Sequence, residues 1–273
     1  MMIMSLLWLR VAVLLYGIAA LAVLPAALYD RPRWRHIAIP ATIAAVLFHF
    51  VSLAEMLNAA HHRLPVDTHE TQTLLGLLLA LAFLLAYWRY KTFSLGVFIL
   101  PVCFLLGLVP AFHPAQETTP TSPMINTGWI FLHVALLLAA YAALLLSLLA
   151  SLLYLIQERR LKQKSPTLTW LPPLETIDQI ALKSLLFGFP CMTAGLLIGS
   201  LIAQATVGAS YFRDPKILLA FAMWLVYIAM IHIRRIAGLR GRRAVYLSSF
   251  VFFLVLAVWA ANQFSAVHRF NAP

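Results

Sequence analysis

The sequence predicts an all-α, polytopic integral membrane protein of about eight transmembrane helices, and three observations predict it. Of its 273 residues, 63% are apolar and 11% charged, whereas water-soluble domains carry roughly 25% charged residues. Mean hydropathy is +0.89. The apolar residues form long runs with the charges gathered between them, and about 20 such residues cross a hydrocarbon core roughly 30 Å thick. Lipid offers the backbone no hydrogen-bond partner, so each run must satisfy its own N–H and C=O groups. A helix does this, and the runs are too long and unalternating for barrel strands.

The spans fall at about 5–28, 37–58, 73–88, 95–112, 128–156, 184–206, 217–235 and 244–264, within one membrane domain, 1–273. The first run lacks a basic leading segment, contains Arg10 and is long enough to cross, so it is expected as a retained helix rather than a signal peptide. The second carries His49 at its middle, in Leu47-Phe48-His49-Phe50-Val51, and Glu55 near its far end. The third and fourth hold no charge, and Pro101 and Pro110 of the fourth are ordinary in membrane helices. The fifth places His133 about one and a half turns from its start. The connection that follows, 157–183, contains Pro166, Pro172 and Pro173, and a short interfacial helix is expected over Leu174 to Lys183. The last three spans are separated by short polar turns, and no loop is long enough to hold a soluble domain.

Orientation follows from the basic residues. The loops after spans 1, 3, 5 and 7 hold 15 of the 20 Lys and Arg residues, so these loops should be cytoplasmic and both termini outside. The net charge of +11 is then a membrane-topology signal facing anionic headgroups. A basic face with interleaved aromatics is absent, which argues against nucleic acid. Cys103 and Cys191 lie alone within apolar runs and read as packing residues.

Of nine histidines, His61, His62, His69, His113, His133 and His268 fall on or near the outer side, His36 and His232 near the cytoplasm, and His49 in mid-span. Outer imidazoles suit a metal or haem iron. A polar ring at the depth of His133 needs a partner, which is either an interhelical hydrogen bond to a Ser, Thr or backbone carbonyl, or an iron. His49 is flanked by rings able to cover a planar cofactor, or simply packs in lipid. Glu55 is expected to pair with Arg10 at similar depth, the alternative being a proton or cation relay. His61, His62, Asp67, His69 and Glu70 make a polar loop whose spacing matches no standard metal site. Motifs for ATP hydrolysis, zinc proteolysis and serine chemistry are missing, so no enzyme is expected.

His133-Val134, Tyr141, Tyr154-Leu155-Ile156-Gln157-Glu158, Leu161-Lys162, Leu171-Pro172-Pro173-Leu174-Glu175 and Trp224-Leu225-Val226-Tyr227 resemble the cytochrome c assembly family of haem-handling membrane proteins. Gly238-Leu239-Arg240-Gly241-Arg242-Arg243-Ala244 is similar to the G-W-R-G-R-R-A loop of its HemX/YpjD-like branch, with Leu239 where Trp is usual. The resemblance is clearest over 128–264, and His49 falls where a helix-2 histidine is expected. The wider family presents an outer W-G-x-x-W-x-W-D loop as a haem platform, with flanking histidines as axial ligands. Here the corresponding stretch is Val207-Gly208-Ala209-Ser210-Tyr211-Phe212-Arg213-Asp214: Gly208 and Asp214 match, Tyr211 is conservative, and Val207 and Arg213 replace Trp. The resemblance implies haem as cofactor, with His133, His49 and His268 as iron ligands, in that order, and Tyr211, Arg213 and Asp214 in the platform. Arg213 and Lys216 are placed to pair with propionates, the alternative being that Arg213-Asp214 is simply a polar turn.

Three functions follow as expectations. The first is haem handling in cytochrome c-type biogenesis at a bacterial inner membrane, alongside maturation or haem-biosynthesis proteins. The second is a regulatory or scaffold subunit without the cofactor, favoured by the altered Trp loop. The third is a small-solute or cation transporter, suggested by Glu55 and His49 but unsupported by any internal repeat.

Overall fold

A computed structural model describes residues 2–28, 32–59, 68–112, 128–163, 171–236, 238 and 242–260. Among the described residues there are eight α-helices: α1 (Met2–Leu28), α2 (Pro32–Ala59), α3 (Thr68–Tyr90), α4 (Gly96–Phe112), α5 (Gly128–Lys162), α6 (Leu174–Val207), α7 (Pro215–Ile236) and α8 (Arg242–Ala260). A 3₁₀ turn, Gly208–Arg213, joins α6 to α7. Each α-helix coincides with one of the eight expected spans, α4 beginning one residue later than expected and residues 261–264 of the last span lying outside the described residues. Six are long and apolar enough to cross a membrane, and α4 and α8 are shorter apolar helices. The chain is a multi-pass membrane protein.

α1 pairs along its length with α2 and also packs on α4; α3 packs on α4 and α5; α5 lies against α6 and α8; α7 touches α6 and α8. One core therefore spans α1–α5 and the first turns of α6, a second lies among α5–α8, and α5 is shared by both. Close approach depends on small residues, as expected where lipid supplies no hydrophobic drive between helices. A Cβ on Gly107 of α4, for instance, would fall 2.7 Å from Val13 of α1.

Contacts between helix termini define two ends. At one, the Arg35 guanidinium of α2 lies over Phe93, Lys183 of α6 lies over Tyr90, and Arg234 of α7 pairs with Asp178 of α6 at 2.7 Å. Among the described residues, the helix ends that flank the Lys- and Arg-rich connections belong to this basic end. At the opposite end Trp8 and Arg10 of α1 meet the ends of α2 and α4, and His133 of α5 meets α6.

Two expectations are corrected. No separate interfacial helix follows the Pro-Pro pair. Pro173 caps α6, which then runs unbroken for 34 residues, because Ile177, Ile180, Ala181 and Leu185 form one buried stripe at helical spacing that continues into the span. Nor does Glu55 pair with Arg10. Trp8 Nε1 donates to Glu55 Oε1 at 3.0 Å, while Arg10 Nε donates to the Ala111 carbonyl at 3.0 Å and its guanidinium lies over Phe112. Trp8 and Arg10 are two residues apart and so point to opposite sides of α1.

Candidate functional site

α5 enters at the end opposite the basic one, and His133 sits in its second turn with the ring turned toward α6. Nδ1 lies 2.7 Å from the Gly195 carbonyl oxygen. A carbonyl only accepts, so Nδ1 carries the proton and donates; in the neutral ring Nε2 then keeps its lone pair. Of the alternatives open in the sequence, the interhelical bond to a backbone carbonyl is therefore present. It does not compete with an iron, since metal-bound imidazoles ordinarily donate their other N–H in this way.

α6 accommodates the ring because it lacks side chains there. A Cβ on Gly199 would lie 2.6 Å from Nδ1 and closer still to Cε1, and one on Gly195 would meet Leu137 at 2.8 Å. The Gly195–Gly199 pair, one helical turn apart, forms a notch holding the imidazole. Lys216, in the first turn of α7, is near enough for its charge to act on His133.

The turn between α6 and α7 shows what the two matching motif positions do. Gly208 ends α6 at φ 69°, ψ −163°, its N–H donating to the Gln204 carbonyl, a conformation open essentially to glycine alone. Asp214 is buried and precedes Pro215. Its Oδ1 accepts from the Lys216 N–H at 2.9 Å, and its carbonyl accepts from the Leu218 N–H at 3.1 Å. This is an N-cap with proline at the first helical position. Both matching residues thus have backbone duties that shape the turn. The Trp positions would supply stacking faces, and there Arg213 is exposed. Phe212, which the sequence reading passed over, is half exposed, with its ring 6.2 Å from that of Phe221. Its signal was an aromatic directly beside the altered Trp position.

His49 lies elsewhere. It is 2% exposed, Nδ1 is 3.4 Å from the Tyr16 hydroxyl of α1, and Nε2 is buried without a hydrogen-bond partner. Gly76 of α3 faces the ring, and the Cys103 thiol donates to the Gly76 carbonyl at 3.6 Å, consistent with a packing role for that cysteine. The flanking rings do not cover a common face with it. Phe48 stacks on Trp8 at 5.5 Å, and Phe50 faces outward, since adjacent helical residues diverge by about 100°. The neighbours of His49 (α1, α3) and those of His133 (α6, α7) do not overlap, so the structure does not bring the two together.

His268, His113, His61, His62 and Asp67 lie outside the described residues, as do the side chains of Tyr211, His69 and Glu70. His36 and His232 are exposed. Among the described residues no three His, Cys, Asp or Glu side chains gather as a metal cluster. What this end carries is an imidazole of fixed tautomer with a neighbouring ammonium and, on the adjoining turn, an exposed guanidinium and an exposed phenyl ring. That set suits an iron-centred, carboxylate-bearing, planar ligand.

Comparison with known proteins gives the same direction. The family model described as cytochrome C assembly protein matches residues 2–259. Among curated proteins, the chain is 28% identical over 215 residues to the cytochrome c biogenesis protein CcsA of Guillardia theta, covering 71% of each chain. It is 27% identical over 231 residues to that of Heterosigma akashiwo, covering 71% of this chain and 72% of the relative. The CcsA of Prochlorococcus marinus subsp. pastoris is 27% identical over 203 residues, covering 66% of this chain and 65% of its own. No solved structure matches.

Proposed function

The chain belongs to the cytochrome C assembly protein family, and from that premise we propose that it handles haem in cytochrome c biogenesis, at the outer end of its helix bundle, in a bacterial inner membrane. The observation that carries this reading is His133, whose Nδ1–H is committed to the Gly195 carbonyl, leaving Nε2 as the nitrogen able to bind iron. Haem, when bound, supplies an iron centre that takes axial nitrogen ligands and two carboxylates that need cations. His133 would hold the iron, Lys216 and Arg213 would meet the propionates, and Phe212, with Tyr211 by its motif position, would supply the aromatic surface that remains of the platform. Asp214 contributes indirectly, by capping α7 and fixing the turn. His49, whose buried Nε2 has no partner, is a second, internal ligand, and His268 is a further candidate.

The protein acts as a binder and presenter of haem rather than an enzyme, a reading that rests on its sequence motifs. Maturation or haem-biosynthesis proteins are its partners. The orientation rests on the basic end facing the cytoplasm.

Haem retained by protein purified from haem-replete cells tests the reading. Wild type is expected to retain it and His133→Ala to lose most of it, with an unchanged helical spectrum. A second reading, a regulatory subunit without haem, is favoured by Val207 and Arg213 at Trp positions; haem-free wild type that copurifies a partner would select it.

A further inference from the structure

At the basic end, an open cleft of about 430 Å³ lies between the first turns of α2 and the last turn of α3, lined by Arg35, His36, Ile39, Pro40 and Tyr87. Its chemistry is not that of the haem site, which lies at the other end. Arg35 is fixed there by its guanidinium lying 5.8 Å from the Phe93 ring centroid, and His36 is exposed. Pro40 has no N–H, which removes the usual helical donor to the His36 carbonyl. The cleft therefore offers a cation, an imidazole, a phenol and a backbone acceptor together.

The surface that leads away from the cleft decides the kind of ligand. α2 and α3 touch sparingly, and below His36 and Pro40 the same face of α2 exposes Ile43, Leu47 and Phe50. Steps of four and three residues keep these on one side of the helix. A polar, cationic mouth thus continues into an apolar stripe running toward the middle of the span. A soluble anion would use only the mouth, whereas an anionic lipid uses both.

We propose that this cleft binds one anionic glycerophospholipid. Arg35, His36 and Tyr87 hold its phosphate, the His36 carbonyl accepts from a headgroup hydroxyl, and an acyl chain lies along Ile43, Leu47 and Phe50. The site is independent of haem and is expected in haem-free protein.

Native mass spectrometry of the delipidated full chain in detergent, titrated with dioleoyl phosphatidylglycerol, tests it. Wild type should hold one copy that survives activation, with dioleoyl phosphatidylcholine held more weakly. The double variant Arg35→Gln/His36→Gln should bind the glycerol lipid about tenfold more weakly, the worth of one charge-assisted hydrogen bond. Arg243→Gln, which removes an exposed charge from the same end, should not. Ile43→Glu, an exposed position whose change leaves the core intact, should also lose the adduct, and it decides the matter if the double variant does not fold. Equal weakening by Arg243→Gln, an unaffected Ile43→Glu, or displacement of the lipid by millimolar inorganic phosphate would each overturn the proposal.

Discussion

Gly199→Ala offers a way to disturb the proposed iron ligand without touching it. The added methyl would lie 2.6 Å from His133 Nδ1, about 1 Å inside an ordinary contact between heavy atoms. The imidazole is a rigid plane whose same nitrogen makes the 2.7 Å bond to Gly195, so it cannot yield by bending and must turn out of the notch. The loss of that bond removes about 1 kcal/mol, and residual overpacking costs about 1–3 kcal/mol. Freed from the carbonyl, the ring no longer has a fixed tautomer, and losing such an outer partner weakens metal binding about 10–100-fold. Haem titration followed at the Soret band should therefore show a Kd raised by that factor, with a lowered melting temperature in detergent. Gly128→Ala, a site with nothing within 4 Å of the added carbon, should match wild type in both. A Gly199→Ala protein that binds haem with wild-type affinity and spectrum would refute the reasoning that the notch positions His133.

Three further outcomes are expected. Asp214→Ala should destabilise the protein by about 1 kcal/mol or more through loss of the α7 cap, as read by thermal unfolding in detergent. Arg234→Met alone strands the largely buried Asp178 carboxylate, whose partner lies 2.7 Å away with side-chain exposures of 3% and 14%. It should cost about 3–5 kcal/mol, much of it recovered in Arg234→Met/Asp178→Leu. Glu55→Gln keeps an oxygen for the Trp8 N–H and should shift stability by no more than about 0.5 kcal/mol. A large loss from Glu55→Gln, cancelled by adding Arg10→Gln, would instead restore the Arg10–Glu55 pair that the sequence suggested.

The contrast between depth and direction explains what could be read from the sequence. Bilayer thickness fixes how long an apolar run must be, so all eight spans were legible. Charge asymmetry gave the same two ends that the Arg35–Phe93, Lys183–Tyr90 and Arg234–Asp178 contacts define. Rotation about each helix axis leaves a much weaker trace. Arg10 and Glu55 were matched by depth, yet the side of α1 facing Glu55 belongs to Trp8. Phe48 and Phe50 were assigned to His49 by adjacency, although neighbouring side chains on a helix diverge. The start of α6 read as a separate element because Pro172 and Pro173 punctuate it, but prolines before a helix open it rather than break it.

At the site, His133 was legible as a polar ring within a span, while its partner, a carbonyl, has no side-chain signature. The Gly195-x-x-x-Gly199 spacing was the available clue to where α6 makes room for side chains of α5. The motif positions Gly208 and Asp214 looked like parts of a haem platform, and the structure gives each a backbone reason to be what it is. A motif match can thus preserve the shape of a loop while the side chains that contact the ligand change. Arg234–Asp178 was missed because arginines in a basic loop were counted only toward topology.

The most direct test of haem ligation by His133 is chemical rescue. Oxidised and reduced absorption spectra of detergent-purified wild type, His133→Gly, and His133→Gly with added imidazole would be recorded after haem reconstitution. The account predicts a Soret band with reduced α and β bands in wild type, their loss in the variant, and their return when free imidazole occupies the vacated notch. Spectra unchanged by His133→Gly, or wild type that takes up no haem, would contradict it.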